Sequence, residues 1–297
     1  MSFRPVSMIV VGAVTAAGVC GGTDRESAGQ TSTACAVETE RVPMPRSIRE
    51  SSGIARTGDG ALWTHNDGGE ARLYRITEGG SIEQVVTLEG TGAADIEDID
   101  AGPCPGGAGD CLWLADTGDN AGRRDQVALL VVSLPAAGVE RAAATRIAFR
   151  YPAGPRDAEA LAVLPSGEAL IITKGRGTPI ELYRLSAASA AGAPAALERI
   201  AQLGPRPERN ADRVTGAGAS EDGRWVAMRS NAALSIHRTE TLLAGDSRPV
   251  LQFDVRGLGE PQGEGIDIAS DGRVWLTSEA GGGGMPMLAR LRCTLPE

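Results

Sequence analysis

Residues 95–120, DIEDIDAGPCPGGAGDCLWLADTGDN, decide the fold. DIEDIDAG alternates apolar and polar residues with period two, and CLWLAD is a compact apolar run, so both read as strands. Cys104 and Cys111 flank PGGAGD, a tight turn that a disulfide would close. A hairpin folds the second strand back along the first, so its end lies beside the first strand's beginning. Glu97 and Asp98 are thereby expected near Asp116, Asp119 and Asn120.

The same unit recurs four more times. First strands read SSGIA, IEDIDA, AEALAV, VTGAGA and GEGIDI; second strands read ALWTHND, CLWLADT, ALIITKG, RWVAMRS and RVWLTSE. Asp59-Gly60, Ser166-Gly167, Asp222-Gly223 and Asp271-Gly272 sit in the turns, where glycine supplies the positive φ of tight hairpins. The aligned positions Ser52, Glu97, Glu159, Thr215 and Glu264 are 45, 62, 56 and 49 residues apart. Each copy has a third strand, and the first four have a fourth (IEQVVTL, TRIAFRY, ALERIAQL, VLQFDV). The fifth copy ends one strand short, whereas ACAVETERVPMP stands spare before the first. An all-β propeller closes in this way, its last blade completed by the amino-terminal strand so that no edge stays open. Cys35 and Cys293 would then face each other in one blade, as a second disulfide. Five blades are expected. Six is the alternative, because residues 136–158 are long enough to hide a degenerate strand or two. Residues 187–196, rich in alanine, read as a loop.

The GIA, EDI, EAL and GID first strands with their LW-type partners resemble secreted bacterial propellers of the TolB-like, NHL and phytase-like kind. The resemblance covers most of residues 34–297 and is one of fold. It implies a central channel at which many such proteins bind Ca²⁺, some hydrolysing esters and others only binding partners. Fold alone does not transfer either function.

Residues 1–20 read as a signal: Arg4 precedes an apolar stretch, residues 6–19, shorter than the ~20 residues of a membrane span. Residues 21–33 read as a flexible leader. Cys20 is either the lipid-bearing first residue of a lipoprotein or part of a discarded secretory signal; Val19 departs from the small residue a lipobox places there. Both fates put the domain in the cell envelope or outside the cell, where disulfides persist. A membrane is reached only through such an anchor. The net charge of −9 excludes a nucleic-acid partner, which would need a basic face, and a monomer is expected.

The loops before first strands and after second strands share one face of the disc. Copies one and two crowd it with Glu50, His65, Asn66, Asp67, Asp95, Glu97, Asp98, Asp116, Asp119 and Asn120; copy five adds Glu264, Asp267 and Glu279. Copies three and four bring Asp157 and Glu159 but also Lys174, Arg176, Arg213 and Arg229. Converging carboxylates suit Ca²⁺, which takes six to eight oxygens, and the expected ligands are Asp67, Glu97, Asp98, Asp116 and Asp119. His65, Asn120, Glu159, Lys174, Arg229 and Glu264 are the candidate ligand-binding residues. The alternative is plain turn chemistry, with Asp and Asn capping backbone N–H groups. Glu97, Glu159 and Glu264 share one repeat position, where bonding to a neighbouring blade's backbone is the structural alternative. GxSxG, HExxH, CxxC and a phosphate-binding loop are all absent. Two functions stay open: a propeller that binds a small molecule, glycan or protein over its mouth, and a Ca²⁺-dependent hydrolase of an ester or phosphoester.

Overall fold

The computed structural model describes residues 34–93, 95–191 and 195–296, all within one compact unit, Thr33–Glu297. Residues 1–33, with the expected signal, the leader and Cys20, lie outside the described residues. Five sheets, each with an antiparallel four-stranded core, form the blades of a propeller. Their innermost strands are Ser51–Arg56, Asp98–Pro103, Ala158–Val163, Val214–Ala219 and Gln262–Ile268. Four of these strands are buried at nearly every position, and Asp98–Pro103 over its first three residues, because one blade packs on each face.

Between successive blades lies an apolar cluster, five in all among the described residues. Trp63, Trp113, Trp225 and Trp275 fill four of them and are each at most 2% exposed. The cluster joining Met44, Ile54 and Tyr74 to Trp275 and Leu288 packs blade 1 on blade 5. Cys35–Pro43 forms the outer edge of blade 5, pairing antiparallel with Met287–Cys293, and places Cys35 opposite Cys293. Both expected disulfides form, Cys35–Cys293 and Cys104–Cys111, which suits an oxidising compartment outside the cytoplasm. No helix among the described residues is long and apolar enough to cross a membrane.

Residues 136–158 do hold an extra strand, but not a sixth blade. Arg141–Ala143 runs parallel to Ile82–Glu89 as a fifth strand on blade 1. Blade 2 gains the same device from Ala195–Ala196, parallel to Thr145–Arg150. The alanine-rich segment is therefore more than a loop; it also contains a short helix, Ala187–Ala190, capped by the Ser186 hydroxyl. Strands of two and three residues covering an outer edge are too short to show a period in sequence.

Inner strands of adjacent blades approach closely at glycine. A Cβ on Gly216 would lie 2.3 Å from the Glu264 carbonyl oxygen, and one on Gly53 would lie 2.6 Å from the Ile99 nitrogen. The inner-edge N–H groups, which have no further strand to pair with, are satisfied by two aspartates of blade 2. Asp98 Oδ2 accepts from Leu161 of blade 3 at 2.8 Å and from Ala217 of blade 4 at 3.0 Å. One step deeper, Asp100 Oδ2 accepts from Val163 at 2.7 Å and Ala219 at 3.3 Å. Each also caps its own successor's N–H through Oδ1. These two rungs hold three blades together, and Asp267 adds a third contact by accepting from Arg56 N at 2.8 Å.

Candidate metal centre

Above the rungs, the beginnings of the inner strands meet the ends of the second strands. Glu97 N bonds Ala115 O at 2.9 Å, and Asp95 N bonds Asp116 Oδ1 at 3.1 Å. In blade 3, Lys174 N bonds Asp157 O at 3.0 Å, and Asp119 N reaches across from blade 2 to Asp157 Oδ1 at 2.9 Å. Backbone bonds thus hold these loops, and two groups of carboxylates meet at the mouth. Asp67, Asp95 and Glu97 bring ligand atoms within 4.8 Å of one another, and so do Glu97, Asp157 and Glu159. Glu97 is common to both and only 6% exposed.

Three features make this more than a charged rim. Asp157 is 8% exposed, and its Oδ2 is buried with no hydrogen-bond partner. A Cβ on Gly118 would fall 2.1 Å from Glu97 Oε1 and 2.4 Å from Asp95 Oδ2, so bare backbone backs the carboxylates there. The carboxyl groups also resist ionisation. Burial, then the charges of Asp67 and Asp95, push Glu97 well above the ordinary range against the pull of Lys174. Asp67 is raised to about 7 by burial and by Asp95, Glu279 and Glu50. Burial raises Glu264 and Glu279 to about 7 as well, and in Glu279 the Glu264 and Glu50 charges add to it.

The expected metal ligands divide. Asp67 and Glu97 enter the groups just described. Asp98 is fully buried in the channel as a rung, and its carboxyl is pushed up by burial. Asp116 is gripped by Arg124 at 2.8 Å and Arg146 at 2.6 Å. Asp119 caps Arg123 N at 2.9 Å and Arg124 N at 2.8 Å, which is the turn chemistry of the alternative reading. Asp95 and Asp157 belong to the mouth face in sequence, and Asp157 meets Glu97 where the Asp119 N–H bonds across from blade 2 to blade 3.

The other candidates are largely engaged. Lys174 is ion-paired with Glu159, and Arg176 donates to Asn120 Oδ1. Arg229 is buried, pairing with Glu260 at 2.6 Å and donating to Gly265 O and Thr277 O, so it braces blade 4 against blade 5. Glu264 accepts from Gln262 at 2.8 Å. The neighbouring-blade bonds considered for the glutamates belong instead to the hydroxyls at that repeat position: Ser52 donates to Glu97 O at 2.7 Å, and Thr215 to Gly263 O at 2.9 Å. His65 is 1% exposed, with Nδ1 3.0 Å from Asn66 O and Nε2 unpartnered; burial lowers it to about 4.

No protein-family model matches the chain, and no curated protein sequence matches it. Solved structures do. The PQQ-bound aldose sugar dehydrogenase of Streptomyces coelicolor aligns over 88% of this chain and 98% of its own, at 13% identity and a TM-score of 0.54. A putative glucose dehydrogenase of Thermus thermophilus aligns over 86% and 100%, at 14% identity and 0.51. The calcium-binding protein regucalcin of Agrobacterium tumefaciens aligns over 86% and 96%, at 13% and 0.48. At such identities the likeness is one of architecture, and its own five sheets make this chain a five-bladed β-propeller.

Proposed function

We propose that this propeller binds a divalent cation, Ca²⁺ for its all-oxygen donor set, at the mouth around Glu97, and uses it to hold a ligand outside the cytoplasm. The observation that carries the reading is the pair of carboxylate groups sharing Glu97, with a buried, unpartnered oxygen of Asp157 beside it. Asp67, Asp95, Glu97 and Asp157 would hold the ion, and the Glu159–Lys174 pair borders it. The donor set fits: carboxylates that repel one another without a cation are stabilised once a hard, oxygen-seeking ion sits among them. Such an ion supplies positive charge at which an oxygen-bearing ligand can be oriented. Binding is favoured over hydrolysis because the basic residues that would steer an anion, Lys174, Arg176 and Arg229, are engaged by Glu159, Asn120 and Glu260.

The test is a melting curve of EDTA-stripped protein with and without millimolar Ca²⁺. Specific binding raises the midpoint with the logarithm of free Ca²⁺ above its Kd. The rise should vanish in Glu97→Gln and shrink in Asp157→Asn, yet survive in Asp119→Asn. An unchanged wild-type midpoint removes the proposal. Ca²⁺-dependent turnover of an ester or phosphoester would shift the function to hydrolysis.

A further inference from the structure

The five repeats act as controls for one another. Third-strand positions facing the preceding blade hold Tyr74 and Ile76 in blade 1, Leu130 and Val132 in blade 2, Tyr183 and Leu185 in blade 3, and Ala289 and Leu291 in blade 5. In blade 4 the same two positions hold Ser235 and His237. Four apolar pairs fill their interfaces, and one polar pair does not. A cavity of about 240 Å³ opens between blades 3 and 4, with Ile180, Leu203 and Met228 as an apolar wall and Asp212 and Arg229 also in its lining.

Ser235 Oγ lies 3.0 Å from His237 Nε2. His237 is 4% exposed, and its Nδ1 has no hydrogen-bond partner. Gln252 pairs directly opposite Ser235, so its amide shares that face, lines the cavity and makes no hydrogen bond among the described residues. A hydroxyl within reach of a ring nitrogen, beside an uncommitted amide and an apolar wall, is the arrangement of an activated nucleophile. Polar groups placed where every sister blade packs hydrocarbon are also the local inconsistency expected of a functional position.

We propose that Ser235 is a reactive nucleophile, with His237 as its base, and that the inter-blade cavity accepts small uncharged acyl esters. In the reaction, Oγ bonds to the acyl carbon as its proton passes to Nε2. The carbon–alkoxide bond then breaks, and the alkoxide leaves with that proton. Water repeats the sequence and restores the serine. Gln252 is placed to donate to the oxygen that gains charge. Burial lowers His237 to about 4, opposed by the charge of Asp246, so the ring is neutral at pH 7 and free to accept. Asp246, itself clamped by Arg248 at 2.6 Å, favours the imidazolium formed on proton transfer.

This site is separate from the mouth and does not depend on the metal. The experiment treats the purified protein with a biotinylated fluorophosphonate and maps the adduct by peptide mass. A single adduct on Ser235 is expected, equal with Ca²⁺ and with EDTA and absent in Ser235→Ala. It should form at least tenfold more slowly in His237→Gln, since a general base contributes ~10²–10⁴. Leu203→Trp, which fills the cavity and leaves both reactive groups in place, should block it too. No adduct on folded wild-type protein under conditions that label a control serine hydrolase overturns the proposal. So does an adduct elsewhere, or one that forms at the wild-type rate in folded His237→Gln.

Discussion

Glu97 and Asp98 are neighbours in sequence with opposite tasks, and alternation in a strand is the reason. One side chain faces the mouth among carboxylates, while the other faces the channel among N–H groups. Asp98→Ala would strip acceptors from Leu161 and Ala217, at ~1–3 kcal/mol for each buried donor left unpaired. Urea unfolding should show that loss while any Ca²⁺ response survives. The mouth carboxyls predict an unusual pH dependence. Asp67, Glu264 and Glu279 titrate near 7 when folded but near 4 when unfolded. Between those values the folded protein holds the extra protons. Their contribution to stability is therefore full below about pH 4 and lost as pH rises through about 7. EDTA-stripped protein should melt lower at pH 8 than at pH 5, and Glu97→Gln should flatten that slope. A midpoint that rises over the same interval would contradict this electrostatic account.

At the scale of elements, all five first strands and their hairpin partners were legible because one apolar strand–turn–strand unit recurs, with an Asp-Gly or Ser-Gly turn in four copies and the Cys104–Cys111 loop in the second. What escaped was short or three-dimensional. Arg141–Ala143 adds to blade 1 through backbone pairing alone, and no side-chain pattern marks such a strand. The sequence gathered acidic residues onto one face but could not rank them. Asp116 and Asp119 sit in the dense run DTGDN, yet arginines and turn N–H groups hold them, whereas Asp157, with only Glu159 near it in sequence, arrives beside Glu97 through tertiary contact. Closure was legible because a strand count and a cysteine pair agreed. Both cysteines of the Cys35–Cys293 bridge are at most 2% exposed, and the bond spans 258 residues. Replacing both by serine should cost ~2–5 kcal/mol. Amide exchange should show Cys35–Pro43 losing protection first, as the outer strand of the closing blade. A replacement without effect on stability would mean that strand pairing alone closes the ring.

Taken whole, the molecule is a ring pulled together at its axis. Apolar clusters join neighbouring blades, two aspartate rungs tie three blades across the channel, and a strand from the opposite end of the sequence completes the last sheet. Rigidity of that kind lets carboxylates from blades 1, 2 and 3 be held close together despite their repulsion, because no single loop can relax without disturbing the ring. The proposed cation would relieve that repulsion. Anomalous diffraction from a crystal soaked in Mn²⁺, a Ca²⁺ surrogate with a strong signal, tests this directly. A peak should lie between Glu97 and the carboxylates of Asp67, Asp95 and Asp157, and be absent in Glu97→Gln. A peak confined to Asp116 or Asp119, or none at the mouth, would contradict the account.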